Sequence, residues 1–277
     1  MYIKLKDVPG IVELLPPDKL DQFIEKRAAE LAMYFRESNY SQAVIGLSGG
    51  IDSAVSAALA VLALGPKNVI AVRLPCGGQS TGESLRVAAE VANALGLPPE
   101  NLLTIDISAA VEASRKSTEE IAGGNVALRL GNMAARERMK VLMDICSAMH
   151  ALLFGTENKA EHYLAYYTIG GDNISSVEPI FDRWKTQVFQ LGERLGLPSC
   201  VLDRKPTAEL WSGQTDEGEI GFSYIEIDTI LSAMENHYTP EQTAETFVLQ
   251  LERVVSLLEY VNQRARKRNS PHVLWEK

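Results

Sequence analysis

Cysteine is scarce. Cys76, Cys146 and Cys200 are far apart, form no C-x-x-C pair and are odd in number. That excludes a disulfide framework and reads as ordinary thiols in a reducing, cytoplasmic setting. The four histidines show neither H-x-x-x-H nor H-E-x-x-H spacing, which argues against a zinc site. No apolar run reaches the ~18 residues that span a bilayer. The opening MYIKLKDVPG lacks the long apolar segment of a signal peptide. Positive charge is in deficit, with 27 Lys and Arg against 36 Asp and Glu and a net charge of −9, the wrong sense for a nucleic-acid binder. The one basic cluster is Arg264, Arg266, Lys267 and Arg268. It reads as a helix end complementing its dipole or as a phosphate-contacting tail.

What is present is ordinary for a globular chain, 46% hydrophobic and 23% charged. A length of 277 residues can bury a substantial core. There is no repeat, low-complexity segment or clean linker, so residues 1–277 are expected to form a single domain. Helical spacing follows Asp18, a candidate N-cap, and continues through Phe35. Strand-length apolar runs sit at Ala43–Leu47, Val69–Leu74, Leu102–Ile107 and Ala151–Phe154. Helical patterns lie between them, at about Ser53–Leu64, Glu83–Leu95, Ser108–Ile121 and Ala127–Met149. Further on, Glu161–Tyr167 is a short helix, and Asp182 can cap one from Arg183 to Leu195. Val201-Leu202 reads as extended, 206–221 as a polar loop, and Ser223–Met234 and Pro240–Lys267 as two closing helices. Strands alternating with helices predict an α/β fold: an open parallel sheet with helices on both faces and a C-terminal helical appendage.

The most informative stretch is AVIGLSGGIDSAVSAALA, Ala43–Ala60. It reads as a strand, a glycine turn and a helix, a junction that aims backbone N–H groups and the positive end of a helix dipole at one point. Ser48 adds a hydroxyl. Asp52 would repel a phosphate unless a cation lay between them, which suggests a Mg²⁺-bound polyphosphate. No G-x-x-x-x-G-K-[ST] loop is present. Gly46-Leu47-Ser48-Gly49-Gly50 fits the G-x-S-x-G nucleophile elbow. An α/β-hydrolase would need more strands before the elbow and a placed Asp and His after it, and His237 and His272 lie in no convincing loop. A bland alternative is a turn that only packs a helix on a sheet. The loop Ser48-Gly49-Gly50-Ile51-Asp52-Ser53 resembles the pyrophosphate-binding loop of the ATP pyrophosphatases, which cleave ATP between its α- and β-phosphates.

Other polar groups fall at strand ends, where ligands bind in such sheets. Arg73 closes the second strand, with Gln79 shortly after it. Asn132 and Arg136 are four apart on a helix face. Gly155-Thr156-Glu157-Asn158-Lys159-Ala160-Glu161 follows the fourth strand and brings hard oxygen ligands suited to Mg²⁺. Asp172, Pro179-Ile180, Lys185-Thr186 and Arg204-Lys205-Pro206-Thr207-Ala208-Glu209-Leu210 come next, then Asp216-Glu217 and Ile220-Gly221. Lys185 near a helix start opposes the dipole, a local conflict that often marks function.

In order and spacing these segments resemble the ammonia-dependent NAD synthetases from about residue 20 to 268. The resemblance implies amidation of nicotinic acid adenine dinucleotide (deamido-NAD) by ammonia, with ATP giving AMP and pyrophosphate through an acyl-adenylate. It implies that Ser48, Gly49, Gly50, Asp52 and Ser53 hold the β- and γ-phosphates and that Asp52 and Glu161 ligate Mg²⁺. Lys185 and Thr207 would contact ATP phosphates; Asp52, Lys185 and Thr207 form the catalytic set. Arg73, Gln79 and Thr156 would lie along ATP. Asn132, Arg136, Asp172 and Lys205 would contact the dinucleotide, and Lys267 would belong to a C-terminal segment closing over phosphates. A homodimer completes each site in that family. Ser176 departs from the family, which commonly has an acid four places after the Asp of the G-D motif. The tail reads Arg266-Lys267 where the family has His-Lys. No glutaminase region is expected, so free ammonia would be the nitrogen donor. A ligase for another carboxylate, or a nucleotide-binding module without turnover, are the alternatives.

Overall fold

Four short apolar runs pair into one parallel sheet of order β3-β2-β1-β4. The structure is a computed structural model that describes residues 2–10, 14–77, 82–121, 124–208 and 213–268. The strands are β1 (Gln42–Gly46), β2 (Val69–Arg73), β3 (Leu102–Thr104) and β4 (Ala151–Phe154). The helices along the sheet are α1 (Pro17–Glu37), α2 (Ile51–Leu64), α3 (Gly82–Ala94), α4 (Ser108–Ser117) and α5 (Val126–Met149). After β4 come α6 (Lys159–Leu164), α7 (Lys185–Arg194), α8 (Ser199–Leu202), α9 (Asp216–Ile220), α10 (Tyr224–Glu235), α11 (Pro240–Phe247), α12 (Leu251–Gln263) and α13 (Ala265–Arg268).

Strand residues alternate between two cores, as a period of two requires. Ala43, Ile45, Val69, Ala71 and Phe154 join the larger one, with apolar faces of α1, α2, α3, α7, α10 and α12. Val44, Ile70, Val72 and Leu153 face the other, with Val111 of α4 and Met139 and Leu142 of α5. The sheet is therefore covered on both faces, as expected. Among the described residues no helix is long and apolar enough to cross a membrane.

Several local expectations change. Val201-Leu202 is helical, in α8, where Val201 packs into the larger core. Pro16 rather than Asp18 is the N-cap of α1; Pro17 suits the first helical position because its missing N–H is not needed there. Trp184, not Asp182, precedes α7, and Asp182 instead pairs with Arg27 and Arg183. The long final helix is broken at Val248, which is left-handed at φ 55°, and again at Arg264. The loop from 206 contains α9, capped by Thr215.

The β4 edge is covered by returning chain. Ser176 N donates to Leu153 O at 2.9 Å, and Gly155 N donates to Val177 O at 2.8 Å. Ser176 is thus spent on edge pairing. Two residues on, the Glu178 carboxylate lies against the Gly155 backbone, leaving no room for a side chain at 155. It accepts from Ser175 Oγ at 2.7 Å and from Glu157 N at 3.1 Å. Burial pushes this carboxyl up to about 7, with the Ser175 hydrogen bond opposing.

Two outcomes follow for stability. At Gly192 of α7 a Cβ would sit 2.6 Å from Ile51 Cδ1 of α2 and 3.1 Å from Leu202 Cδ2. Gly192→Val should therefore destabilise by ~1–3 kcal/mol through overpacking, read as a lower urea midpoint. The folded protein keeps the Glu178 proton after the unfolded chain has lost it, so rising pH between about 4.5 and about 7 costs stability. Glu178→Gln should flatten that fall in urea titrations at pH 5 and 7.5; identical slopes in both proteins would show that the group does not titrate there.

Candidate active site

The turn between β1 and α2 is shaped by its own side chains. Gly49 has φ +84°, and a Cβ there would meet Ser84 O at 2.6 Å, so both torsion and space demand glycine. Ser48 Oγ accepts from Gly50 N at 3.2 Å, and Ser53 Oγ accepts from Ser48 N at 3.3 Å while donating to Gly50 O at 3.0 Å. Gly50 is the N-cap of α2 and brings no side chain to cap it. The positive end of the α2 dipole is left for an external anion. Arg204 fixes the turn from outside, donating from Nη1 to Gly49 O at 3.0 Å and from Nη2 to Ser84 Oγ at 2.7 Å.

A cavity of about 500 Å³ opens at this turn, over the carboxyl ends of β1, β2 and β4. Ser48, Gly50, Asp52, Ser53, Arg73, Thr156, Glu161, Lys185 and Thr207 line it, as do Asn132, Asp172, Lys205 and Lys267. Gly49 holds the turn from its far side. Arg136 is not a lining residue. Its Nε donates to Ile169 O at 3.0 Å, while Arg138, two places on, takes the cavity wall. Gln79 lies outside the described residues.

The centre of the site is a buried ammonium. Lys185 is 1% exposed, and its Nζ lies 2.6 Å from Asp52 Oδ2 and 3.0 Å from Glu161 Oε1. Asn158 holds both acids from the other side. Its Nδ2 donates to Asp52 Oδ1 at 2.8 Å, its backbone N donates to Glu161 Oε2 at 3.3 Å, and its Oδ1 accepts from Glu161 N at 3.0 Å. The last two bonds form the capping box that starts α6. Burial pulls the Lys185 ammonium down, but attraction from Asp52, Glu161 and Asp216 outweighs it and holds the group above an ordinary lysine. Burial lifts Glu161 to about 8 against the pull of Lys185. Asp228 of α10, fully buried, accepts from Thr186 N at 2.8 Å and sets a carboxylate at the α7 N-terminus, where Lys185 opposes the dipole.

Glu157 takes no part in this cluster; it pairs with His162 Nδ1 at 3.1 Å. Asn132 Oδ1 accepts from Thr168 Oγ1 at 2.7 Å, and Thr168 N donates to Asp172 Oδ1 at 2.6 Å, so both predicted substrate residues also shape the 168–172 wall. Asp172 is reached from the cavity yet crowded by protein, and that desolvation raises it. Thr207 Oγ1 donates to Gln214 O at 2.8 Å. Lys267 Nζ donates to Ala165 O at 2.8 Å and to Tyr167 O, at the carboxyl end of α6. Sequence reasoning assigned no role to Asn158, Arg204 or Asp216. Asn158, Arg204 and Asp216 all sit inside quoted motifs, so motif membership was the available signal.

The donor set fits a hard divalent cation. Two carboxylates converge beside a helix N-terminus, and among the described residues no third ligating side chain joins them. Mg²⁺ suits such a site because it takes one or two carboxylates and completes its octahedron with water and phosphate oxygens.

The NAD synthase family model matches residues 23–271, from within α1 to beyond α13. An NH₃-dependent NAD⁺ synthetase of Fusobacterium nucleatum is 39% identical over 260 residues, 92% of this chain and 97% of the relative. The NMN synthetase structure from Francisella tularensis matches with a TM-score of 0.78 at 32% identity, covering 94% of this chain and 99% of that one. The NH₃-dependent NAD synthetase structure from Campylobacter jejuni gives 0.76 at 29%, covering 92% and 99%. With similarity running through nearly the whole chain, the protein belongs to the NAD synthase family.

Proposed function

We propose that this chain amidates deamido-NAD with ammonia and ATP, giving NAD, AMP and pyrophosphate. The observation that carries the reading is the Asp52–Lys185–Glu161 cluster set against the preshaped α2 N-terminus in one cavity. A nicotinate carboxylate is a poor electrophile, so it is first activated. Its oxygen attacks the ATP α-phosphorus, the bond to the pyrophosphate oxygen breaks, and an acyl-adenylate forms. Ammonia then adds to the acyl carbon, AMP leaves and a proton is lost.

The protein's part is positioning and charge stabilisation. The Gly50–Ser53 turn receives the β- and γ-phosphates, with Ser48 and Ser53 hydroxyls already oriented. Asp52 and Glu161 would hold Mg²⁺, which would supply neutralisation of the phosphate oxygens. Lys185, Thr207 and Arg73 serve the ATP, while Thr156 flanks it. Asn132, Asp172 and Lys205 face the dinucleotide from the remaining walls, and Lys267 closes the rim. Free ammonia is the proposed nitrogen donor.

Homodimerisation is proposed as well. Leu128 and Ile174 line the cavity yet are 39% and 41% exposed, and Ile169, beside Arg136, is 45% exposed. A second copy over this face would cover them and bring Arg136 to a substrate. Sedimentation should give a dimer, and Ile174→Asp should shift it towards monomer.

A second reading has a specific basis: the Francisella tularensis neighbour is an NMN synthetase, so the mononucleotide acid is a rival substrate. The test incubates the protein with ATP, Mg²⁺ and either deamido-NAD or nicotinic acid mononucleotide, with ammonium or glutamine in parallel tubes. NAD equal to AMP, with deamido-NAD and ammonium, is expected. Preferential NMN formation would move the assignment to the mononucleotide. Asp52→Asn should lower turnover by at least ~100-fold while its circular dichroism shows the fold intact; near wild-type turnover would remove Asp52 from the metal site.

A further inference from the structure

Lys185 stands where a metal ion would have to stand. Its ammonium bridges Asp52 Oδ2 and Glu161 Oε1, and the other two oxygens of those acids are taken by Asn158. Both carboxylates are therefore committed to a resident cation before any ligand enters. A divalent ion that joined them while the ammonium remained would be repelled by it across the same carboxylate oxygens.

A second buried acid lines the same cavity and is only partly satisfied. Asp216 is 4% exposed and lines the cavity. Its Oδ2 accepts from Tyr224 OH at 3.0 Å, while its Oδ1 has no hydrogen-bond partner. Lys185 Nζ lies over the Tyr224 ring, 4.9 Å from its centroid. Tyr224 thus connects the two groups: the ammonium rests on its face, and its hydroxyl holds Asp216. An orphaned buried carboxylate oxygen is costly unless it is filled in some working state.

We propose that Lys185 is a placeholder cation, displaced across Tyr224 towards Asp216 Oδ1 when the metal arrives with its nucleotide. The inference rests on Asp52 and Glu161 being the metal ligands. Charge supports the exchange. Three acids, Asp52, Glu161 and Asp216, attract the one ammonium of Lys185, so a second cation is accommodated without leaving an acid unpaired. The ammonium has three N–H donors, so after displacement it can serve Asp216 and a phosphate oxygen together. The consequence is an order of binding: free metal is refused, and the metal–nucleotide complex is accepted, because the phosphates draw the ammonium off the acids.

The test is Mn²⁺ binding followed by electron paramagnetic resonance, without turnover. Wild type alone should bind Mn²⁺ at least ~10-fold more weakly than wild type with α,β-methylene-ATP, beyond the affinity of the nucleotide itself for Mn²⁺. Lys185→Met alone should gain a nucleotide-independent Mn²⁺ site at least ~10-fold tighter than wild type, and Lys185→Gln should do the same should the Met variant not fold. Asp216→Asn should bind no Mn²⁺ alone and should weaken the Mn²⁺–nucleotide complex at least ~5-fold. Equal Mn²⁺ binding by wild type and the Lys185 variants without nucleotide would overturn the placeholder. An unchanged Asp216→Asn complex would overturn the destination of the ammonium. Undiminished Mn²⁺–nucleotide binding by Asp52→Asn would instead remove the metal assignment on which the inference stands.

Discussion

A single buried ammonium organises the functional end of this molecule. Lys185 sits at the start of α7, Asp52 in the first turn of α2, and Glu161 in the first turn of α6. Their contact therefore joins three helix N-termini from separate parts of the chain. Isolated, each acid suits its own helix dipole and the lysine opposes its own. Together they satisfy one another, with Asn158 closing the far side and Asp228 compensating α7. Removing one member of such a buried set leaves uncompensated charge at a cost of about 3–5 kcal/mol.

The parallel sheet explains why these helix ends meet. Every strand runs the same way, so the turns after β1, β2 and β4 open on one side. The neighbour of β1 changes from β2 to β4 across the centre of the sheet; α2, which leaves β1, packs on one face, and α5, which enters β4, packs on the other. The crevice left between them holds the Ser48–Ser53 turn. The adjoining walls come from α5 and from the chain after α8, which carries Arg204.

Local chemistry was legible in the sequence where neighbours in the chain are also neighbours in space. The glycine turn depends on contacts within a few residues, and the pattern of Ala43–Ala60 carries it; the four strands showed as apolar runs, although their pairing partners are distant in the chain. Lys185 could be singled out because it offends its own helix. Its meeting with Asp52, 133 residues away, is tertiary and leaves no local trace. Val201-Leu202 looked extended because two β-formers offer no period, and packing decided for helix. Arg136 and Arg138 are separated by one position, which on a helix is a turn of about 200°; only the packing of α5 against β1 and β4 selects the face. Ser176 broke the family pattern, and the structure explains what it does instead, as part of the β4 edge.

The docking of Lys267 has a practical side. Its ammonium, with the guanidinium of Arg268 on Tyr163 O, is fastened to the carboxyl end of α6. That helix is only six residues long, and its other end carries Glu161. A pull on the chain beyond residue 268 is therefore transmitted through less than two helical turns to an acid of the cluster. Tethering under tension behind the last helix would load this short strut.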